Sequence, residues 1–508
     1  MKVGKKAGFL GIALALAFAA LAGCGTSNEK PAAETQTPVQ TGASETPDAL
    51  PPAKLVWLLR ASPQTDGAAV QEAFNKIVKE KINAEVELRF IDGGVYDTKI
   101  KTMIAAGETF DLAFASSSLG GDFYGSVAKG AFIPLDDLIK TYAPQTFASI
   151  PEDFWEAVTV DKRIYGVPNY QIVARQNGVV VQQRMLDKYA FDLTGVNKLE
   201  ELEPLLKSMK EGESSNSTPF YMSKAGIWKD MLTYYGFDSI LSPMSPGTVK
   251  IGDDSLKVIN QYTEPSFLEH IKLIRDWYEK GYINKDVATA QVGSTSDGSL
   301  SLSMWNNIKP GGNAEMKALV GGNDVAQHVL DRPFVTTANI SITLQAISRT
   351  SKNPERAMML IELMNTDKEL YNLLSFGIEN KHYKKTGADR IEPIADSGYF
   401  PNKSWSFGNQ FNAYLLPEQP DDVWQQTIDL NNRAERSKLL GFNFDIEPVK
   451  AEIAQTQSVL DEYTPGLLTG SVDPEKYLPQ FLDRLKAAGA DAIIAEKQKQ
   501  IDAWKASR

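Results

Sequence analysis

Residues 54–115 read KLVWLLRASPQTDGAAVQEAFNKIVKEKINAEVELRFIDGGVYDTKIKTMIAAGETFDLAFA, and this stretch decides the fold. It opens with a short continuous apolar run, Lys54 to Leu59, the pattern of a strand buried on both faces. Asp66 is placed to cap a following helix, in which Val70, Phe74, Ile77 and Val78 recur on one face. A second strand is read in Val86, Leu88 and Phe90, which alternate with charged residues. Tyr96, Ile100 and Ile104 then mark a second helix, Gly107 its stop, and Asp111–Ala115 a third strand. Strands alternating with helices predict an α/β fold with a parallel sheet covered on both faces. Ligands of such sheets bind beyond the carboxyl ends of the strands, which singles out Arg60 after the first strand and Ser116 and Ser117 after the third.

Downstream the pattern is mostly helical. Phe267, Ile271, Ile274 and Tyr278 make one face, with Gly281 as terminator, and this periodicity makes Trp277 a core residue. Asn353-Pro354 and Asp473-Pro474 each read as an N-cap followed by a first-turn proline. No internal repeat of fixed period is present.

Upstream, Lys2, Lys5 and Lys6 precede an apolar segment from Phe9 to Ala22, too short to span the ~30 Å hydrocarbon core as a helix. This predicts a signal peptide over residues 1–23. Leu21-Ala22-Gly23-Cys24 resembles the lipobox of bacterial lipoproteins, which implies that Cys24 becomes a lipidated N-terminus; an ordinary secretory peptide with an incidental cysteine is the alternative. Cys24 is the only cysteine among 508 residues, which excludes an intrachain disulfide or a cysteine metal site. Losing three lysines takes the formal charge from -11 to -14, against binding of nucleic acid or an anionic lipid face. From Gly25 to Pro52 the chain has five prolines, five threonines and no aromatic residue, so residues 24–52 read as a lipidated cysteine and a disordered tether reaching roughly 30 Å.

Taken in order, these segments resemble the extracellular solute-binding proteins of carbohydrate ABC importers, and more closely a lipoprotein subgroup with a C-terminal domain of unknown function. The resemblance is carried by Tyr96–Ala115, by Gly130–Leu138 (GAFIPLDDL), Arg163–Pro168 (RIYGVP) and Trp277–Asp286 (WYEKGYINKD), and by three subgroup motifs. Those are Asn353–Asn365 (NPERAMMLIELMN), Gly377–Tyr383 (GIENKHY) and Gly441–Val449 (GFNFDIEPV). The resemblance implies a two-lobed periplasmic-binding-protein-like fold of type II, its lobes joined by a multi-strand hinge. By analogy, lobe one takes residues 53–168 and 305–375, and lobe two takes 169–304 and 376–508 with the C-terminal helical region. It implies a monomer without cofactor or catalytic chemistry that closes on a sugar or oligosaccharide and hands it to ABC permease subunits. The place of work is then the outer face of the cell membrane, with the lipid as the membrane contact.

A pyranose presents apolar faces and a rim of hydroxyls, so its sites pair aromatic platforms with polar donors. Trp228, in Thr218–Tyr235 (TPFYMSKAGIWKDMLTYY), resembles the lobe-two aromatic that meets sugar in maltodextrin-type binders. Trp305 follows Leu302-Ser303-Met304 where the chain is expected to recross the hinge, and Trp405 sits in the polar loop Asn402–Asn409 (NKSWSFGN). Asn169 and Tyr170 follow the first crossing, and Glu379 lies in a glycine-containing turn before His382, itself read as a packed histidine. Each has a plainer reading as packing, capping or turn chemistry.

Rival functions find less support. There is no G-x-S-x-G elbow or H-E-x-x-H helix, and His270, His328 and His382 are widely separated, against a hydrolase or a transition-metal site. A glycosidase needs only two carboxylates, which a chain with 64 acidic residues can supply. The same fold carrying peptides or amino acids needs a carboxylate for the ammonium and an arginine or helix N-terminus for the carboxylate; no such pair stands out.

Overall fold

The computed structural model describes residues 50–214, 218–291 and 301–508. The expected signal peptide, Cys24 and the tether up to residue 49 lie outside the described residues.

The opening unit folds as its periodicity predicts: β1 Ala53–Arg60, α1 Gly67–Ile82, β2 Ala84–Ile91, α2 Tyr96–Ala106 and β3 Leu112–Ala115. Both neighbours of β1 are parallel to it, with Arg60 level with Ile91 at the end of β2. Val70, Phe74, Val78 and Ile82 bury one face of α1, and Gly107 takes the left-handed conformation (φ 66°) that stops α2. The outer edge of β2 is covered by α1 itself: Asn75 Oδ1 accepts the Val86 N–H at 2.7 Å and Gln71 Oε1 the Leu88 N–H at 2.7 Å. An edge capped this way offers less template for another strand.

Three expectations fail here. The sheet is mixed, because strands Leu344–Ile347 and Val167–Pro168 complete it in the order β2-β1-β3-(344–347)-(167–168), and 344–347 runs antiparallel to β3. A strand arriving from the far side of a hinge enters the sheet from the opposite end, which local periodicity does not encode. Asp66 makes no side-chain cap on α1; its carboxylate binds His382 Nε2 at 2.7 Å and Lys381 Nζ at 2.5 Å instead. Asn353 likewise makes no side-chain cap and turns its amide to the Lys54 carbonyl at 3.3 Å, whereas Asp473 does cap, accepting the Glu475 N–H at 2.9 Å.

The second lobe is built on a three-stranded antiparallel sheet with Gly178–Gln182 in the centre, flanked by Leu302–Trp305 and Val325–Val329. Gly178 is required at its start, since a Cβ there would strike the His328 carbonyl and Ile308. Helix Pro265–Glu279 buries Phe267, Ile271, Ile274 and Trp277, and the C-terminal helices Lys450–Leu467, Pro474–Ala487 and Ala490–Ala506 pack beside it.

Three segments join the lobes: residues 170–177, 331–336 and 431–437. Phe334–Val335 pairs parallel with Glu435–Arg436, and Arg175 bridges Phe334. Asn431, fully buried, ties the strands together by accepting the Val173 and Ala174 N–H groups and donating to the Gln171 carbonyl.

The cores correct the expected boundaries. Residues 305–329 belong with lobe two, because Trp305 and Val329 both pair with Gly178 and the chain recrosses only at 331–336. Residues 376–434 belong with lobe one: Phe376, Tyr383, Ile391, Phe407, Ala413 and Leu430 share the core of Trp57 and Phe114. The join is polar as well as apolar, with Gln345 accepting the Trp57 indole N–H at 2.9 Å and donating to the Ser406 carbonyl at 2.8 Å.

Candidate functional site

The ends of β1, β2 and β3 meet the loop 402–409 and form one cluster. Arg60 closes β1, and its guanidinium lies over Gly93, where a Cβ would come within 3.0 Å of it. Asp92 follows β2; it accepts the Ser62 hydroxyl at 2.7 Å and the Gly94 N–H at 2.9 Å. These two bonds, with Arg60 and Lys403 nearby, hold its carboxyl below the usual range. Trp405 stands edge-on to Phe114 of β3 at 6.4 Å, half-buried, with Lys403 Nζ 5.4 Å from its ring centroid. Burial and the Arg60 charge lower the Lys403 ammonium pKa. Neither Lys403 Nζ nor the Arg60 guanidinium has a hydrogen-bond acceptor among the described residues, and Arg60 Nε is buried without one.

Of the residues expected in a site, Arg60 and Trp405 come together here, and Ser117 follows the end of β3. The Ser117 N–H donates to the Ser341 carbonyl at 2.9 Å while its hydroxyl is buried without a partner. Ser116 is corrected: fully buried, its hydroxyl accepts the Ser118 and Leu119 N–H groups and shapes the turn. Asn169 and Tyr170 lie where the chain enters the first crossing, both buried. Asn169 Oδ1 accepts from Gln345 at 3.3 Å, and the Tyr170 ring packs edge-on against Phe411 at 4.7 Å. Glu379 is corrected to an exposed turn, paired with Lys385 at 3.1 Å.

Trp228 is corrected most sharply. It is 0% exposed, stacked on Tyr235 at 4.6 Å and edge-on to Phe267 at 4.9 Å, in the core that lobe two shares with the C-terminal helices. No face of it is free for sugar. His382 is the packed histidine expected, accepting the Ile378 N–H at 2.8 Å.

The lobe-two counterpart lies at the hinge end of its sheet. Trp305 ends its strand there, partly buried, with its indole N–H on Ser303 Oγ at 2.8 Å. Asn306 donates to Asp230 at 3.3 Å, Asn307 Oδ1 is buried without a partner, and burial raises the Asp230 carboxyl. Below them Asp331 accepts from Asn177 and Thr233, which fixes the second crossing to the first.

Sequence reasoning missed Asp92, Lys403, Asn306 and Asn307. The topological rule that selects Arg60 selects Asp92 equally, as the residue after β2. Lys403 and the two asparagines were legible only as neighbours of Trp405 and Trp305. Among the described residues no group of three or more His, Cys, Asp or Glu is placed to hold a metal ion.

Two family profiles match the chain: that of bacterial extracellular solute-binding proteins over residues 61–370, and a domain of unknown function, DUF3502, over residues 438–506. The sequence is 29% identical to a carbohydrate ABC transporter substrate-binding protein of Streptococcus pneumoniae serotype 4 across 99% of both chains. It is 20% identical to lipoprotein LipO of Bacillus subtilis, across 96% of this chain and 97% of that one. The crystal structure of the N-glycan transport solute-binding protein NgtS of Streptococcus pneumoniae is similar at 28% identity and a TM-score of 0.80, covering 89% of this chain and 99% of that one. For NgtS in complex with Man5GlcNAc the TM-score is 0.70, at 28% identity over 90% and 99%.

Proposed function

The chain belongs to the bacterial extracellular solute-binding proteins, and from that premise we propose that it captures an oligosaccharide between its lobes for an ABC importer while anchored to the membrane through Cys24. The observation that carries the sugar reading is Trp405. It is a half-buried indole at the carboxyl ends of three lobe-one strands, fixed edge-on by Phe114 and beside the unpaired cations Lys403 and Arg60. A flat ring held rigidly next to unpaired donors suits a pyranose, whose apolar face stacks and whose hydroxyls accept.

Closure about the three crossing segments brings Trp305, Asn306 and Asn307 toward that platform. A ligand bridging both sets stabilises the closed form by its extra affinity for it. The similarity to NgtS, a structure of which is described in complex with Man5GlcNAc, supports a glycan of several residues as cargo. The lipoprotein relative and the lipobox-like sequence before Cys24 support the anchor. The permease then selects the closed form; turnover of the cargo has no part in the cycle.

Calorimetry against a panel of oligosaccharides, paired with small-angle scattering, tests this reading. Binding of at least one saccharide with a smaller radius of gyration is the expected result. Binding only of peptides, or hydrolysis of the bound glycan, would overturn it.

A further inference from the structure

Arg60 and Lys403 are two cations at the same strand ends, each without a hydrogen-bonding or ion-pair partner among the described residues. Carboxylates are not scarce in this chain, where Asp and Glu number 64 against 53 Lys and Arg. Other part-buried arginines reach acceptors, Arg436 to Asp153 and two carbonyls and Arg390 to Asp421 and two carbonyls, while Arg175 in the first crossing shares the lack of a side-chain partner among the described residues. The carboxylate near the pair, Asp92, is held by Ser62 and Gly94 and offsets one of the two charges, so the cluster keeps a net positive charge. Arg60 cannot turn away freely, since its guanidinium rests on the Gly93 backbone. Lys403 is held over Trp405.

Neutral hydroxyls need donors, but they do not need two positive charges held near each other in a partly buried place. Bringing like charges together costs free energy unless an anion is to lie between or before them. We propose that the lobe-one half of the site reads an anionic group, a carboxylate or a phosphate, on the saccharide: Arg60 and Lys403 bind the charge while Trp405 stacks on the sugar ring that carries it. This deepens the sugar reading given above and rests on it. The planar guanidinium offers paired N–H donors that match either oxyanion, and the ammonium adds a point charge.

Calorimetry on the full chain with matched pairs of glycans tests the inference. One arm compares 3′-sialyllactose with lactose and glucuronylated with plain xylo-oligosaccharides. The other compares phosphorylated with plain manno-oligosaccharides, so the arms separate carboxylate from phosphate. In at least one pair the acidic member is expected to bind about tenfold tighter or more, as charge-assisted hydrogen bonds imply. The preference should shrink with added salt and fall to near one in the double variant Arg60→Gln, Lys403→Gln, whose fold is checked by its melting curve. Should a plain oligosaccharide bind while no acidic partner does better, the anion reading fails and the sugar reading stands. A preference that survives in the folded double variant also overturns it. If no saccharide of either kind binds, the sugar reading falls and takes this one with it.

Discussion

Two regions of this molecule each hold a tryptophan and a lysine, and they treat the two residues in opposite ways. Where the C-terminal helices meet lobe two, Trp228 is enclosed by Tyr235, Phe237 and Phe267. Elsewhere along the same C-terminal region, Lys497 is fully buried with its ammonium donating to the Ile240, Pro246 and Gly247 carbonyls and to Ser245 Oγ at 2.7–3.0 Å. At the lobe-one strand ends, Trp405 keeps part of its surface open and Lys403 has no acceptor. Residue type is the same; the difference is whether the protein itself covers the ring and supplies the ammonium's acceptors. A ring covered on every side, though its Nε1 has no partner, and a fully bonded ammonium hold the C-terminal region to lobe two; a ring left part open and cations left without acceptors are available to a ligand.

The sharpest way to break this contrast is to truncate Trp228. Trp228→Ala removes a fully buried indole and is expected to cost about 3–5 kcal/mol of stability, the range for large-to-small core changes. Denaturant unfolding measures it, and a loss under 1 kcal/mol would return Trp228 to the surface and to the list of sugar contacts.

Asp238 sharpens the same side. It is buried beside the second lobe's join to the hinge, accepts the Ser437 hydroxyl, and burial pushes its carboxyl up to about 7. In the unfolded chain it ionises near its ordinary value, so between about pH 4 and pH 7 the folded state holds the extra proton. This group's contribution to stability therefore falls as pH rises through that window, by up to about 4 kcal/mol. Asp238→Asn should flatten the slope of unfolding free energy against pH there; an unchanged slope would show that Asp238 ionises normally in the fold.

Next in size is Lys497→Met, expected to lose about 3 kcal/mol by leaving three buried carbonyls without their donor. Because Lys497 lies in the C-terminal domain and its acceptors lie in residues 240–247, the variant should also expose the C-terminal helices to proteolysis first. Loss of the whole fold in one step, with no such order, would mean the region is not a separable layer.

Much of this was legible in the sequence, and the pattern of success is physical. β1 to β3 with their helices follow from apolar periodicity over a few residues, so Val70, Phe74, Ile100 and Gly107 are found where local spacing puts them. The lobe boundaries were not legible, because which sheet receives 305–329 or 376–434 depends on partners more than a hundred residues away, Gly178 and Trp57 among them. Caps failed where a distant partner outbid the local one: Asp66 binds His382, and Asn353 turns to Lys54. For the site, topology selected Arg60 and the serine turn, whereas the tryptophans could not be sorted. Trp228 and Trp405 sit in similarly mixed, non-periodic segments, and only the tertiary surroundings of each decide whether its faces are covered.

The smallest expected effect falls on the open side and separates binding from folding. Trp405 contacts the lobe-one core with only part of its ring, so Trp405→Ala is expected to leave the protein folded while weakening oligosaccharide affinity by about 1–3 kcal/mol, the range for a lost aromatic anchor. Calorimetry gives the affinity and a melting curve the stability, and their ratio is the test. If Trp228→Ala reduces affinity in protein that is still folded while Trp405→Ala does not, the two regions have been assigned the wrong way round. If each variant moves only its own readout, the partners that a side chain finds inside the fold, rather than its chemical type, decide which tryptophan serves the ligand.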